Sequence, residues 1–270
     1  MKLGHAIKQL ILLPVVATAL HLSGCATEAA KPSWTVEQVK VIAPEGRLRV
    51  ALYPGTPTSI LQEAGKEPRG VGYELGKALA AKLGVPFAPV VYPRNADVLE
   101  AIKTKRADMA FTNASPARMK DMDFSPAYLE IELGYLTAPK SRIGNLDEID
   151  RPGVRVAVTE GSSSDGVLSR SLKQAVVVRA KTLKVGVEML SDGRADVYAT
   201  NKSTLFEMAD ELRDARVLAG NWGAEKHAVA IPKGREAGQP VVNAVLNEAR
   251  REGIVSAAIK RAGLRGAIEP

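Results

Sequence analysis

Arg106-Ala107-Asp108-Met109-Ala110-Phe111-Thr112-Asn113 recurs as Arg194-Ala195-Asp196-Val197-Tyr198-Ala199-Thr200-Asn201, with Arg, Ala, Asp, Thr and Asn at matching offsets. In each copy a helix-period segment comes first (Val98, Leu99, Ile102; then Val185, Val187, Met189, Leu190), and the apolar run after the Asp reads as a buried parallel strand. Each strand ends in Thr-Asn. Ligands of open α/β sheets lie beyond the carboxyl ends of the strands, so a doubled unit ending in amide side chains predicts two lobes that present polar groups to one cleft. The Asp pair can equally serve only to turn a helix into a strand, and the Asn pair can be turn formers.

Working outward, strands over 48–52 and 87–91 and helices over 73–83 and 95–103 precede the first copy. A Pro- and Gly-bearing connection over 140–153 leads into a second alternation: strands over 154–158, 176–178 and 197–199, helices ending near 172 and over 183–190 and 204–212. Alternating strand and helix predicts parallel sheets. The tail, a strand over 228–231 and helices over 240–251 and 254–262, has no sheet partners of its own and must return to the first unit. The chain then crosses between lobes twice, near 130–132 and near 226–229, which is a hinge layout. The lobes are assigned as 47–131 plus 228–270, and 132–227.

The amino-terminal end reads as a secretory address. Lys2 and Lys8 precede an apolar core over 10–20 that is too short for a membrane span of ~20 residues, and no acid occurs before Glu28. The core closes on Leu22-Ser23-Gly24-Cys25, similar to a bacterial lipoprotein signal in which the Cys becomes the lipidated first residue. Residues 1–24 are thus expected to be signal, and 25–46 the lipidated Cys25 with a polar, Pro-punctuated tether. Removing Lys2 and Lys8 lowers the formal charge from +7 to +5. That excess is dispersed and aromatic residues make up 4% of the chain, which argues against a nucleic-acid surface. The single Cys removes disulfides, Cys-rich metal sites and a catalytic thiol from consideration. Three His, two of them before Cys25, assemble no metal set, and no cofactor is expected.

Gly70-Val71-Gly72-Tyr73-Glu74, Ala81-Lys82-Leu83-Gly84-Val85, Ser115-Pro116-Ala117-Arg118 and Asp123-Phe124-Ser125-Pro126-Ala127-Tyr128 follow one another along the chain. In that order they resemble the bacterial extracellular solute-binding proteins of family 3, the polar amino-acid receptors of ABC importers. The resemblance implies an α/β, two-lobed periplasmic-binding-protein fold of type II, each lobe a mostly parallel sheet flanked by helices. It also implies a soluble monomer held at the membrane by its lipid, in the periplasm or on the cell surface, delivering a small carboxylate-bearing polar solute to an ABC permease by hinge closure.

On the same resemblance Arg118 grips the ligand carboxylate, aided by Ser115, and a guanidinium suits that task because it matches a carboxylate with two parallel hydrogen bonds. The loop Glu160-Gly161-Ser162-Ser163-Ser164 offers Ser162 and Ser163 at a helix amino end, an anion-binding geometry. Three positions depart from the family. Asn201 stands where the family carries an Asp for the ligand ammonium, and Thr56 and Asn95 stand where it carries aromatic or aliphatic walls. Asn95, Asn113, Asn201 and Thr56 therefore suggest a polar ligand, although Asn95 can also cap its helix. Two other classes stay open: an exported enzyme of the cyclohexadienyl dehydratase type, with Glu160, Glu130 and His227 as its available acid–base groups, and a sensory or scaffolding lipoprotein.

Overall fold

The computed structural model describes Met1 and residues 34–268. The signal segment, Cys25 and the first part of the expected tether lie outside the described residues. No helix among the described residues is long and apolar enough to cross a membrane.

The order of elements is α1 (Val36–Ile42), β1 (Leu48–Leu52), α2 (Val71–Leu83), β2 (Phe87–Val91), α3 (Asn95–Lys103), β3 (Met109–Asn113), β4 (Met122–Phe124) and β5 (Leu129–Thr137). There follow β6 (Arg155–Thr159), α4 (Ser163–Ser171), β7 (Val176–Ala180), α5 (Leu183–Ser191), β8 (Val197–Asn201), α6 (Lys202–Glu211), β9 (Gly223–Pro232), α7 (Gln239–Arg251), α8 (Ile254–Ala262) and β10 (Ala267–Ile268). The strands run β2-β1-β3-β9-β5-β8-β6-β7 across one sheet, with β4 on β9 and β10 on β5.

Parallel pairs occupy the two flanks: β1 with β2 and β3, and β6 with β7 and β8. The centre is antiparallel, since β9 pairs with β3, β4 and β5, and β5 pairs with β8. The expected parallel sheets are therefore joined into one mixed sheet by two long strands that the sequence reading did not assign in full. Apolar clusters lie on both faces of each flank. Leu48, Leu75, Leu79 and Val245 belong to one and Val98, Ala101 and Ile102 to another on the first flank, with Tyr198, Leu205 and Met208, then Val156, Val158 and Leu168, on the second. Helices α7 and α8 of the tail pack on α2.

One expectation about the tether needs correction. Residues 36–42 form α1, closed by a capping box in which Thr35 Oγ1 accepts from the Gln38 amide and the Gln38 side chain accepts from the Thr35 amide. Ile42 and Ala43 are buried in the first core cluster, and Arg235 donates to the Ile42 carbonyl at 3.0 Å. Burial of the helix end, rather than its polar and proline composition, decides its state.

The doubled Arg-Ala-Asp resolves into one repeated clamp. Asp108 accepts from the Arg49 amide (2.9 Å), its Nε (3.0 Å) and its Nη2 (2.8 Å), while Asp196 accepts from the Arg155 amide (2.8 Å), Nε (3.0 Å) and Nη2 (2.8 Å). Each Asp thereby ties the start of its own strand to the start of the neighbouring parallel strand, at the end of the sheet away from the Thr-Asn termini. The first clamp is completed by Arg235, which donates to Asp108 Oδ1 at 2.7 Å. Burial pushes the Asp108 carboxyl up, but its bonds to Arg49 and Arg235 outweigh that and hold it below the ordinary value.

The two clamps differ in exposure. The Asp108 side chain is 0% exposed and that of Asp196 31%. Asp108→Asn should lower unfolding free energy by about 3 kcal/mol, as for a broken buried pair, and Asp196→Asn by about 1 kcal/mol or less, measured by urea titration. Because the folded-state value of Asp108 is depressed, its stabilisation should be complete above about pH 4 and fade as pH falls below that. The wild type should thus lose more than Asp108→Asn between pH 5 and acid.

Candidate ligand-binding cleft

The carboxyl ends of β1, β3, β6 and β8 open into a cavity of about 390 Å³, lined from both flanks of the sheet. A pocket of this size lies within the usual range for small-molecule sites. Tyr53 follows β1, Thr112 and Asn113 end β3, Thr159 ends β6, and Thr200 and Asn201 end β8. Turn geometry brings helix amino ends to the same place. Gly161, at φ 70°, turns the chain from β6 into α4, and the Ser162 side chain caps that helix by accepting from the Asp165 amide. Thr182 caps α5 and Asn201 caps α6 in the same manner.

Of the residues singled out from sequence, Arg118, Asn113, Ser162, Ser163, Asn201 and Asn95 all line the cavity. The Arg118 guanidinium donates from Nη1 to Thr112 Oγ1 at 2.7 Å and to the Asn113 carbonyl at 3.2 Å. Both partners are neutral, and no ion pair involves it among the described residues. Burial lowers its proton affinity while the nearby Glu225 charge raises it. Ser163 Oγ accepts from Asn113 Nδ2 at 2.9 Å, a bond between the two halves of the sheet.

Two expected ligand groups stand elsewhere. Ser115 is outside the lining: its hydroxyl receives the Arg118 amide at 3.4 Å and so supports the turn that carries the guanidinium. Thr56 is 0% exposed, because its hydroxyl is engaged by Thr58 at 3.0 Å and by Thr204 of α6 at 2.9 Å. It is a bridge between the halves instead of a cavity wall. The aromatic wall is Tyr53, whose hydroxyl is pushed up to about 12 by burial and by Glu225.

The residue missed entirely is Glu225, on β9. It is 7% exposed and lines the cavity. Asn113 Nδ2 reaches its Oε1 at 3.5 Å from one side, and Asn201 Nδ2 reaches its Oε2 at 3.3 Å from the other. His227 Nε2 lies 3.2 Å from Oε2. Burial raises the Glu225 carboxyl, but the His227 bond, the charges of His227 and Arg118, and the Asn201 amide together leave it below its ordinary value. In the structure Glu225, His227 and Val229 are buried while Ala224 and Lys226 are exposed, but the inward Glu and His hide this alternation from a hydropathy pattern. Of the three acid–base candidates, His227 lines the cavity, whereas Glu160 and Glu130 do not. The mouth carries Arg94, Lys181 and Lys184, all exposed.

Residues 48–263 match the model of the bacterial extracellular solute-binding proteins, family 3. The amino-acid-binding protein AabA of Dichelobacter nodosus is 24% identical over 212 residues, 76% of this chain and 83% of that protein. The ABC transporter glutamine-binding protein GlnH of Bacillus subtilis is 25% identical over 147 residues, 54% of each chain. Among solved structures, the L-cysteine solute receptor of Neisseria gonorrhoeae superposes with a TM-score of 0.74 at 23% identity, covering 83% of this chain and 92% of that one.

The Thr56–Thr204 bridge joins the halves through two buried hydroxyls. A double-mutant cycle with Thr56→Val and Thr204→Val should give a coupling of about 1 kcal/mol in thermal or urea unfolding. A coupling of zero would show that the two hydroxyls do not meet in solution.

Proposed function

The chain belongs to family 3 of the bacterial extracellular solute-binding proteins, and from that premise we propose that it is the receptor of an ABC importer for a small amino-acid-like solute. The observation that carries this reading is the placement of the Arg118 guanidinium and the α4 amino end, with Ser162 and Ser163, on one cavity from opposite halves of the sheet. A ligand carboxylate there takes paired, charge-assisted bonds from the guanidinium. It also meets hydroxyls and the first-turn N–H groups that helix geometry leaves free, with the helix dipole in its favour. Asp165 in that first turn is offset by Arg179, 2.9 Å away.

Residues 47–131 with 228–270 then act as one lobe and 132–227 as the other, with motion absorbed where β5 and β9 pass between them. The Asn113–Ser163 and Thr56–Thr204 bonds form only when the lobes meet, so a ligand that touches both sides favours the closed population. Cys25 is the point of lipid attachment, which keeps the receptor as a monomer in the periplasm or on the surface beside its permease. The exposed Arg94, Lys181 and Lys184 raise the encounter rate with anionic groups.

The adjoining Glu225 and His227 are the groups that a dehydratase on this scaffold would use, and they are the reason to test turnover as well as binding. Calorimetry against the twenty common amino acids and simple organic acids should find a stoichiometric ligand, with compaction in small-angle scattering and no conversion of prephenate or arogenate. Arg118→Ala should weaken that ligand at least 100-fold, as about 3 kcal/mol is typical for truncating a buried charge-paired group. Unchanged affinity in Arg118→Ala would contradict the reading.

A further inference from the structure

Two opposite charges line this cavity without meeting each other. Glu225 is the one carboxylate among the described lining residues, and no ion pair joins it to Arg118. Arg118 donates only to neutral oxygens, and Glu225 takes its bonds from two amides and an imidazole. An ionised group withdrawn from water is costly unless a counter-charge reaches it, and here each charge is left with an open side toward the same space.

The two asparagines cannot supply that counter-charge or replace Glu225 as an acceptor. The Asn113 side-chain oxygen is engaged by the Lys226 amide at 3.2 Å, and that of Asn201 by the Thr204 amide at 3.0 Å. Their NH₂ groups are donors and are turned to Glu225. An entering cationic nitrogen therefore meets one strong acceptor, the Glu225 carboxylate on β9, while Asn201 at the end of β8 offers it none.

We propose that Glu225 is the cation-recognising residue of the cleft, so that the ligand is a zwitterion whose carboxylate faces Arg118 and whose ammonium faces Glu225. This rests on the receptor reading given above and narrows it: solutes carrying a carboxylate but no cationic nitrogen are rejected, because they bring a second anion near Glu225 and offer its carboxylate no cation from the cavity side. Selection arises from the strand that crosses between the lobes, with the amides of both lobes holding the carboxylate in place. The 3.3 Å contact between Asn201 Nδ2 and Glu225 Oε2 also means that a carboxylate placed at position 201 would sit beside the same point.

The test uses the full soluble chain and calorimetry with the common L-amino acids, each binder being compared with its N-acetyl derivative and its deamino carboxylic acid. Wild-type protein should prefer the free amino acid at least 100-fold over both. Glu225→Gln should bring the amino acid down to the level of the deamino acid, and adding Asn201→Asp to Glu225→Gln should restore at least tenfold of the preference. Should Glu225→Gln fail to fold, Glu225→Asp serves in its place, with the preference reduced about tenfold through the displaced charge. The proposal is overturned if wild type binds deamino or N-acetyl forms as tightly as the amino acid, or if the folded variant keeps the full preference. In that outcome carboxylate binding persists and the receptor reading stands. Absence of any carboxylate ligand on wild-type protein would remove both.

Discussion

The convergence of Asn113 and Asn201 on Glu225 is the contact on which the cleft depends. It is set by register rather than by the side chains alone. Asn113 pairs with His227 across β3 and β9, Asn201 with Leu133 across β8 and β5, and Leu133 with Gly223 across β5 and β9. A slip of one residue in any of these ladders turns the inward set outward. Glu225 and the two amides then no longer share one face. The Asp108 and Asp196 clamps at the opposite edge pin the flanking parallel strands, so the sheet is tied at one edge and left polar at the cavity.

This division of labour separates stability from function. The Arg–Asp clamps, of which Asp108 is fully buried and Asp196 partly exposed, lie at the opposite edge of the sheet from the cavity, while the cavity concentrates hydroxyls, amides and two separated charges. Partly unsatisfied charge is a poor foundation for a core and a good one for recognition. In the proposed receptor it also links ligand to closure: Asn113 contacts both Ser163 and Glu225, so a solute that rearranges this amide would act on the contact between the proposed lobes as well as on the site.

Much of the fold was legible in the chain. The strands at 48–52 and 87–91 and the helices at 95–103 and 254–262 coincide with β1, β2, α3 and α8, because apolar periodicity, a Pro or Gly boundary and helix-stop residues agree there. The long central strands were harder to read. In β5, Leu129, Ile131 and Leu133 face inward while Glu130 and Glu132 face Lys226 and Lys202, so alternation replaces the apolar run that marks a parallel strand. The start of β9 was obscured likewise by Glu225 and Lys226. Helix α1 carried a readable capping box at Thr35 and Gln38 that its flanking prolines overshadowed. Six of the eight ligand groups picked from motif and strand-end position line the cavity; Ser115 and Thr56 do not, because their hydroxyls are already used by the Arg118 amide and by Thr58 and Thr204. Glu225 was hidden because its contacts with Asn113 and Asn201 join three strands far apart in sequence.

The most direct measurement is a crystal structure of the chain grown with its tightest-binding amino acid. The account predicts carboxylate oxygens at about 2.7–2.9 Å from the Arg118 guanidinium nitrogens, between it and the amino end of α4, with the ligand nitrogen in hydrogen-bond contact with Glu225. A ligand lying elsewhere, or a cleft in which Arg118 and Glu225 pair directly and leave no room between them, would contradict it.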